Sequence, residues 1–197
     1  MKFTIVIVSL LFSIFVFADE DKEYGKCQVS DTEPDEVSKA YSVSLICGDF
    51  GWRVRQLHIV FLKIDHRPFL DETTQGYNFA LKISGGYYGE SEEIPVKYQF
   101  RSENGKSSEV KTEDFEVDKK DLDQRFEIDK IDELLELVET YDTLNVYDLP
   151  GLMEPQDVEI SLEGADEAVA DFRARVKKLT DTETEETATT DHEEEEP

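Results

Sequence analysis

In several segments between Tyr41 and Phe100, apolar residues recur at every second position, and this period constrains the fold more than any other feature of the chain. Ile94, Val96, Tyr98 and Phe100 share one face, while Lys97 and Gln99 lie on the other. A period of two belongs to a strand with one face buried and one face wet. The segments 41–47 and 77–84 also read as strands, and 52–64 is a long β-branched and aromatic run with a register break near Gln56. Asn104-Gly105 then marks a turn before a further strand around 110–117, although the polar stretch 101–108 makes the loop longer than a tight two-residue hairpin.

The period changes after residue 127. Ile128, Ile131, Leu134, Leu135 and Val138 fall at helical spacing, with Asp129 placed to act as the N-cap. Residues 143–147 and 157–162 return to strand character. A last helix is expected over 165–179, with Ala168, Val169, Phe172, Val176 and Leu179 on one stripe. Arg173, Arg175, Lys177 and Lys178 crowd its expected final turns, where cations complement the helix dipole. The early strands are not separated by helices, so a parallel sheet is disfavoured. The expected class is α+β: an antiparallel β-sandwich or curled sheet with two helices from the C-terminal half packed on it.

Three regions follow from composition. Residues 1–18 hold Lys2, an apolar run from Phe3 to Phe17, and a V-x-A site ending at Ala18 before Asp19-Glu20-Asp21. This is the layout of a secretory signal peptide, cleaved after Ala18. The apolar run is shorter than the roughly 18–20 residues needed to span a bilayer. Residues 24–179 are expected to form one β-rich domain. Residues 180–197 contain nine acidic residues and neither lysine nor arginine, so they read as a disordered acidic tail.

Charge removes two partner classes. The chain has 47 acidic and 21 basic residues and a formal charge of −26. Nucleic-acid binding needs Lys and Arg against phosphates, and an anionic membrane surface needs the same. The expected partner is another protein, most simply a basic one, because such a charge steers basic partners and repels acidic ones.

Cys27 and Cys47 are the only cysteines. An even count in an exported chain points to a disulfide, and no C-x-x-C motif favours redox chemistry. His58, His66 and His192 show no metal-ligand spacing. Gly105-Lys106-Ser107 resembles the end of a phosphate-binding loop, but Phe100 stands where its first glycine is needed. Asp118, Asp121 and Asp123 have the spacing of a calcium loop, yet Asp123 occupies the glycine position and Asp129 the position of the closing Glu. No G-x-S-x-G is present. No catalytic, cofactor or metal residues are therefore assigned. Tyr87 and Tyr88, in a glycine-rich stretch, are either an exposed binding patch or one core residue with its neighbour. Phe50, Gly51 and Trp52 are read as an anchor near the disulfide.

The order of segments over 95–179 carries a resemblance. Val96-Lys-Tyr-Gln-Phe-Arg is followed by a hairpin, then by the helix with Leu134-Leu135. Tyr141-Asp-Thr-Leu-Asn-Val and Asp157-Val-Glu-Ile-Ser-Leu-Glu-Gly-Ala-Asp-Glu-Ala-Val come next, with a terminal helix. This order resembles the small exported type VI secretion-associated TagO/VasI-like group, and also the invasion-associated locus B group. The resemblance implies a periplasmic accessory or binding protein and supplies no catalytic residues. The chain departs from both groups in lacking cysteines in this half, in its acidity and in its tail.

The reading is an exported, non-enzymatic accessory protein that binds another protein. Two alternatives stand beside it: an acidic structural or calcium-linked envelope protein, and a hydrolase using two convergent carboxylates.

Overall fold

A computed structural model describes residues 21–32, 40–51, 54–64, 74–84, 93–118, 121–126, 130–150 and 154–189. The expected signal peptide, Trp52, His66, Tyr87, Tyr88, Asp129, His192 and residues 190–197 lie outside them. Among the described residues ten strands form in chain order: β1 Lys22–Tyr24, β2 Cys27–Thr32, β3 Ala40–Asp49, β4 Arg55–Ile64, β5 Thr74–Ile83, β6 Glu93–Arg101, β7 Lys111–Asp118, β8 Asp121–Phe126, β9 Thr143–Leu149 and β10 Gln156–Ser161. Two helices join them, α1 Ile131–Thr140 and α2 Ala165–Thr189.

All ten strands belong to one sheet, in the order β1-β2-β3-β4-β5-β8-β7-β6-β9-β10, and every pairing is antiparallel. The sheet curls: β10 packs against β3 and β4, and α2 packs against β1, β2, β3 and α1. The α+β expectation with a curled sheet and two helices therefore holds.

The period-two pattern sets the inner face. Leu57, Ile59 and Phe61 of β4 lie opposite Leu81, Phe79 and Tyr77 of β5. They share one core with Val96, Tyr98 and Phe100 of β6, Leu144 and Val146 of β9, and Val158 and Ile160 of β10. The helical stripe supplies the lid of that core: Ile131, Leu134, Leu135 and Val138 from α1, and Ala168, Val169, Phe172 and Val176 from α2. Edge-to-face ring contacts join Phe79 to Phe115 at 5.4 Å and to Tyr98 at 6.1 Å, a geometry that aromatic quadrupoles favour.

The curl closes where two turns touch. Lys26 N–H donates to Glu163 O at 2.8 Å, and Gly48 N–H donates to Lys26 O at 2.9 Å. These bonds tie the β1–β2 turn to the β10–α2 turn and to the end of β3. Backbones approach so closely there that a Cβ at Gly48 would collide with the Arg55 carbonyl, and one at Gly164 with the Tyr24 carbonyl. Both residues also have positive φ, 122° and 83°, which glycine tolerates and a side chain does not.

Several boundaries differ from expectation. β4 starts at Arg55 and pairs continuously with both neighbours, so the expected register break at Gln56 is absent. α1 starts at Ile131 with Lys130 at the N-cap position and no side-chain cap; Asp132 and Glu133 in its first turn complement the dipole instead. α2 runs on to Thr189, past the expected end at 179 and into the segment expected to be disordered. Extending a helix already nucleated on a packed face avoids the nucleation penalty, which offsets the modest propensity of the five threonines in 180–189. The basic cluster thus sits mid-helix rather than at its end. Arg173 reaches Glu139 of α1 at 3.2 Å and Arg175 reaches Asp31 of β2 at 2.8 Å, so both serve as struts between elements.

Candidate interaction surface

The disulfide joins β2 to β3, next to the edge strand β1. Cys27 and Cys47 are bonded, with their Cα atoms 4.1 Å apart at directly opposite positions of β2 and β3. Both are buried in the core. Disulfides persist in oxidising compartments, and no helix among the described residues is long and apolar enough to cross a membrane.

Strand edges carry features that oppose pairing with another chain. β1 has only three residues, two of them charged. β10 follows Pro155, carries Asp157 and Glu159 on its exposed side, and shifts register against β9 between Gln156 and Val158. Short, charged and bulged strands are poor templates for strand addition. Recognition is therefore better sought on a face than on an edge.

Cations on the helix side are largely engaged in ion pairs. Arg175 holds both Asp31 and Asp171, Arg173 holds Glu139, and Lys111 meets Glu133 at 2.9 Å. Burial opposes ionisation of Asp171, but bonds from Arg175 and Tyr24 outweigh it and hold the carboxyl below its ordinary range. Beneath α1, burial and the bond to Glu113 push the Tyr98 phenol far above its usual value, so it stays neutral and donates to Glu113 Oε2 at 2.7 Å. Asp132, Glu133 and Glu136 remain on the solvent side of α1.

The outer face of β6 and β9 is organised differently. Lys97 lies opposite Tyr147, Gln99 opposite Asn145, and Arg101 opposite Thr143. Both the Lys97 ammonium and the Arg101 guanidinium sit 5.8 Å from the centre of the Tyr147 ring, within cation–π range. Gln99 Oε1 accepts from Arg101 Nε at 3.0 Å and from the Tyr147 hydroxyl at 3.1 Å, while Gln99 Nε2 donates to Ser108 O at 2.8 Å. Lys97 has only a long ion pair, 4.0 Å, to Asp148. Exposed carboxylates flank the group: Asp114 and Glu116 on β7, Asp148 on β9, Asp157 and Glu159 on β10.

His58 is the one described histidine, and it lies on the outer face of β4 rather than in a constellation. Its ring shares a hydrogen bond with Gln56, with Nε2 3.0 Å from Oε1. Burial, helped by Lys82, lowers its pKa from 6.5 to about 4. The fold thus favours the neutral ring. The contribution to stability is complete above pH 6.5 and is lost as pH falls toward 4, on the order of 2 kcal/mol. Denaturant titrations at pH 7 and pH 4 are expected to show this loss, and His58→Gln is expected to reduce the difference between the two pH values. An unchanged difference would assign the acid sensitivity to other groups.

Of the aspartates with calcium-like spacing, Asp118 and Asp121 are paired across the β7–β8 hairpin, and Asp123 lies opposite Glu116. Among the described residues no three His, Cys, Asp or Glu side chains are grouped to hold a metal ion. Gly105-Lys106-Ser107 forms a hairpin loop, where Asn104 Oδ1 accepts from Lys106 N at 3.1 Å. Phe50 is 52% exposed and does not anchor the core beside the disulfide as expected. Sequence reading missed the Lys97–Gln99–Arg101–Tyr147 group. Its signal was the polar half of the same alternation that identified β6, but the partner strand was needed to bring Tyr147 across.

Comparison with protein-family models, with curated proteins and with solved structures finds no match for this chain.

Proposed function

We propose that this is an exported accessory protein that binds a basic protein in the envelope or outside the cell. The observation that carries the reading is the way charge is spent. With a formal charge of −26, Arg173 and Arg175 are drawn into ion pairs that brace the helices, while carboxylates such as Glu136, Asp157 and Glu159 face solvent. Such a surface concentrates cationic partners and accelerates their encounter. The buried disulfide and the signal-peptide layout of residues 1–18 support an oxidising destination. A periplasmic or secreted location, with the leader removed after Ala18, is part of the proposal, as is the absence of a catalytic role.

Binding of this kind weakens with salt. The Debye length falls from about 10 Å at 0.1 M to about 3 Å at 1 M. Affinity for the partner is expected to drop by about tenfold or more over that range, measured by surface plasmon resonance, with most of the change in the association rate. An affinity that holds constant across the range removes the electrostatic basis of the reading.

A further inference from the structure

We propose that the outer face of β6 and β9 is a docking surface for a partner segment that presents one carboxylate surrounded by cations, with Arg101 receiving that carboxylate. This rests on the basic-partner reading above and names the place and the charge pattern of contact.

The argument begins with how Arg101 is held. Its Nε is bound to Gln99 Oε1 at 3.0 Å, and its guanidinium lies over the Tyr147 ring. Gln99 is itself fixed by the Tyr147 hydroxyl and by Ser108 O. The guanidinium is therefore oriented by two neighbours, Gln99 and Tyr147. No carboxylate among the described residues is within ion-pair distance of it. What sets Arg101 apart from Arg173 and Arg175, which are committed to carboxylates, is that its held guanidinium faces solvent. A fixed guanidinium with its terminal nitrogens unclaimed presents the fork that a carboxylate accepts in two-pronged fashion.

The surroundings define the rest of the partner. Lys97 adds a second cation beside the same ring. Outside this positive centre the face is acidic on both sides: Asp114 and Glu116 on β7, Asp157 and Glu159 on β10. The complement of a positive centre with a negative rim is a negative centre with a positive rim. A uniformly cationic surface would meet the rim well and Arg101 badly. Like-charge juxtaposition of that sort is a means of rejecting wrong partners. Long-range attraction would thus come from the whole acidic surface, and orientation from Arg101.

The two ideas separate in one experiment. Two peptides, Lys-Lys-Asp-Lys-Lys and Lys-Lys-Asn-Lys-Lys with blocked ends, are titrated into the isotopically labelled full chain and followed by NMR at low salt. The Asn peptide carries the larger positive charge, so attraction alone favours it. The docking surface predicts the reverse, with the Asp peptide about fivefold tighter and with shifts at the Arg101 side chain, Gln99 and Tyr147. Arg101→Gln is expected to abolish that preference while leaving binding of the Asn peptide intact. Arg101→Lys, which keeps the charge but not the fork, is expected to retain only part of it. Equal or reversed preference, or shifts confined to other faces, overturns the docking surface and leaves the basic-partner reading standing. No binding of either peptide overturns both.

Discussion

Phe172→Ala is expected to destabilise the protein by about 3–5 kcal/mol. The ring is 1% exposed and lies on the buried stripe of α2. Its centre is 6.4 Å from Tyr77, whose ring is in turn 5.1 Å from Phe61. Phe172 is therefore the link between the long helix and the middle of the sheet. The space left by its removal cannot readily collapse, because α2 is braced on either side. Arg173 ties it to α1, and Arg175 ties it to β2. For a chain of this size each kcal/mol moves the melting temperature by roughly 2–4 °C, so a fall of roughly 6–20 °C should appear in a thermal melt. Phe172→Leu, which keeps most of the volume, should cost markedly less. A loss below about 1 kcal/mol for the alanine variant would show that α2 is not packed on the core as described.

Loss of the disulfide is expected to be the next largest effect. Cys27 and Cys47 are 20 residues apart in sequence, and cross-linking over that span lowers the entropy of the unfolded chain by an amount worth about 3 kcal/mol. The double variant Cys27→Ala, Cys47→Ala should lose about that much in urea titrations, with a larger m-value, because its unfolded state is less constrained. Both sulfurs are buried, so the wild-type bond should resist a thiol reductant until the protein is opened by denaturant. Rapid reduction of the native protein, or a double variant of unchanged stability, would contradict the buried cross-link between β2 and β3.

The elements that could be read from sequence are those whose burial is decided by one face. β6 shows this most plainly: Ile94, Val96, Tyr98 and Phe100 are all buried, and Lys97 and Arg101 are exposed. α1 and the first part of α2 followed from their stripes for the same reason. β8 was missed because the sequence 121–126 holds charged and polar residues at most positions, and its place in the sheet comes from pairing with β5 and β7. β2 was missed although Cys27 and Val29 are both buried, because the acidic residues around it obscured so short an alternation. Sequence order also hides the path of the sheet, in which β6, β7 and β8 enter in reverse so that β8 rather than β6 lies beside β5.

The site was less legible than the fold, for a physical reason. The strut roles of Arg173 and Arg175 depend on Glu139 and Asp31, which are distant in sequence and indistinguishable there from other carboxylates. The Arg101 group depends on Tyr147, 46 positions away and brought near by the β6–β9 pairing. Net charge could be read from composition, whereas which charges are already spent required the contacts. The expected binding residues Tyr87 and Tyr88 lie outside the described residues, so the surface proposed here rests on β6 and β9 alone.

Affinity capture decides whether the acidic surface selects a basic partner. Residues 19–197 would be immobilised and exposed to native envelope or culture extract at about 0.05 M and about 0.5 M salt, where the screening length differs by roughly threefold. The account predicts that one basic protein is retained at low salt, is released at high salt, and is identified by mass spectrometry. Retention of acidic proteins, or of the same protein equally at both salt concentrations, would contradict it.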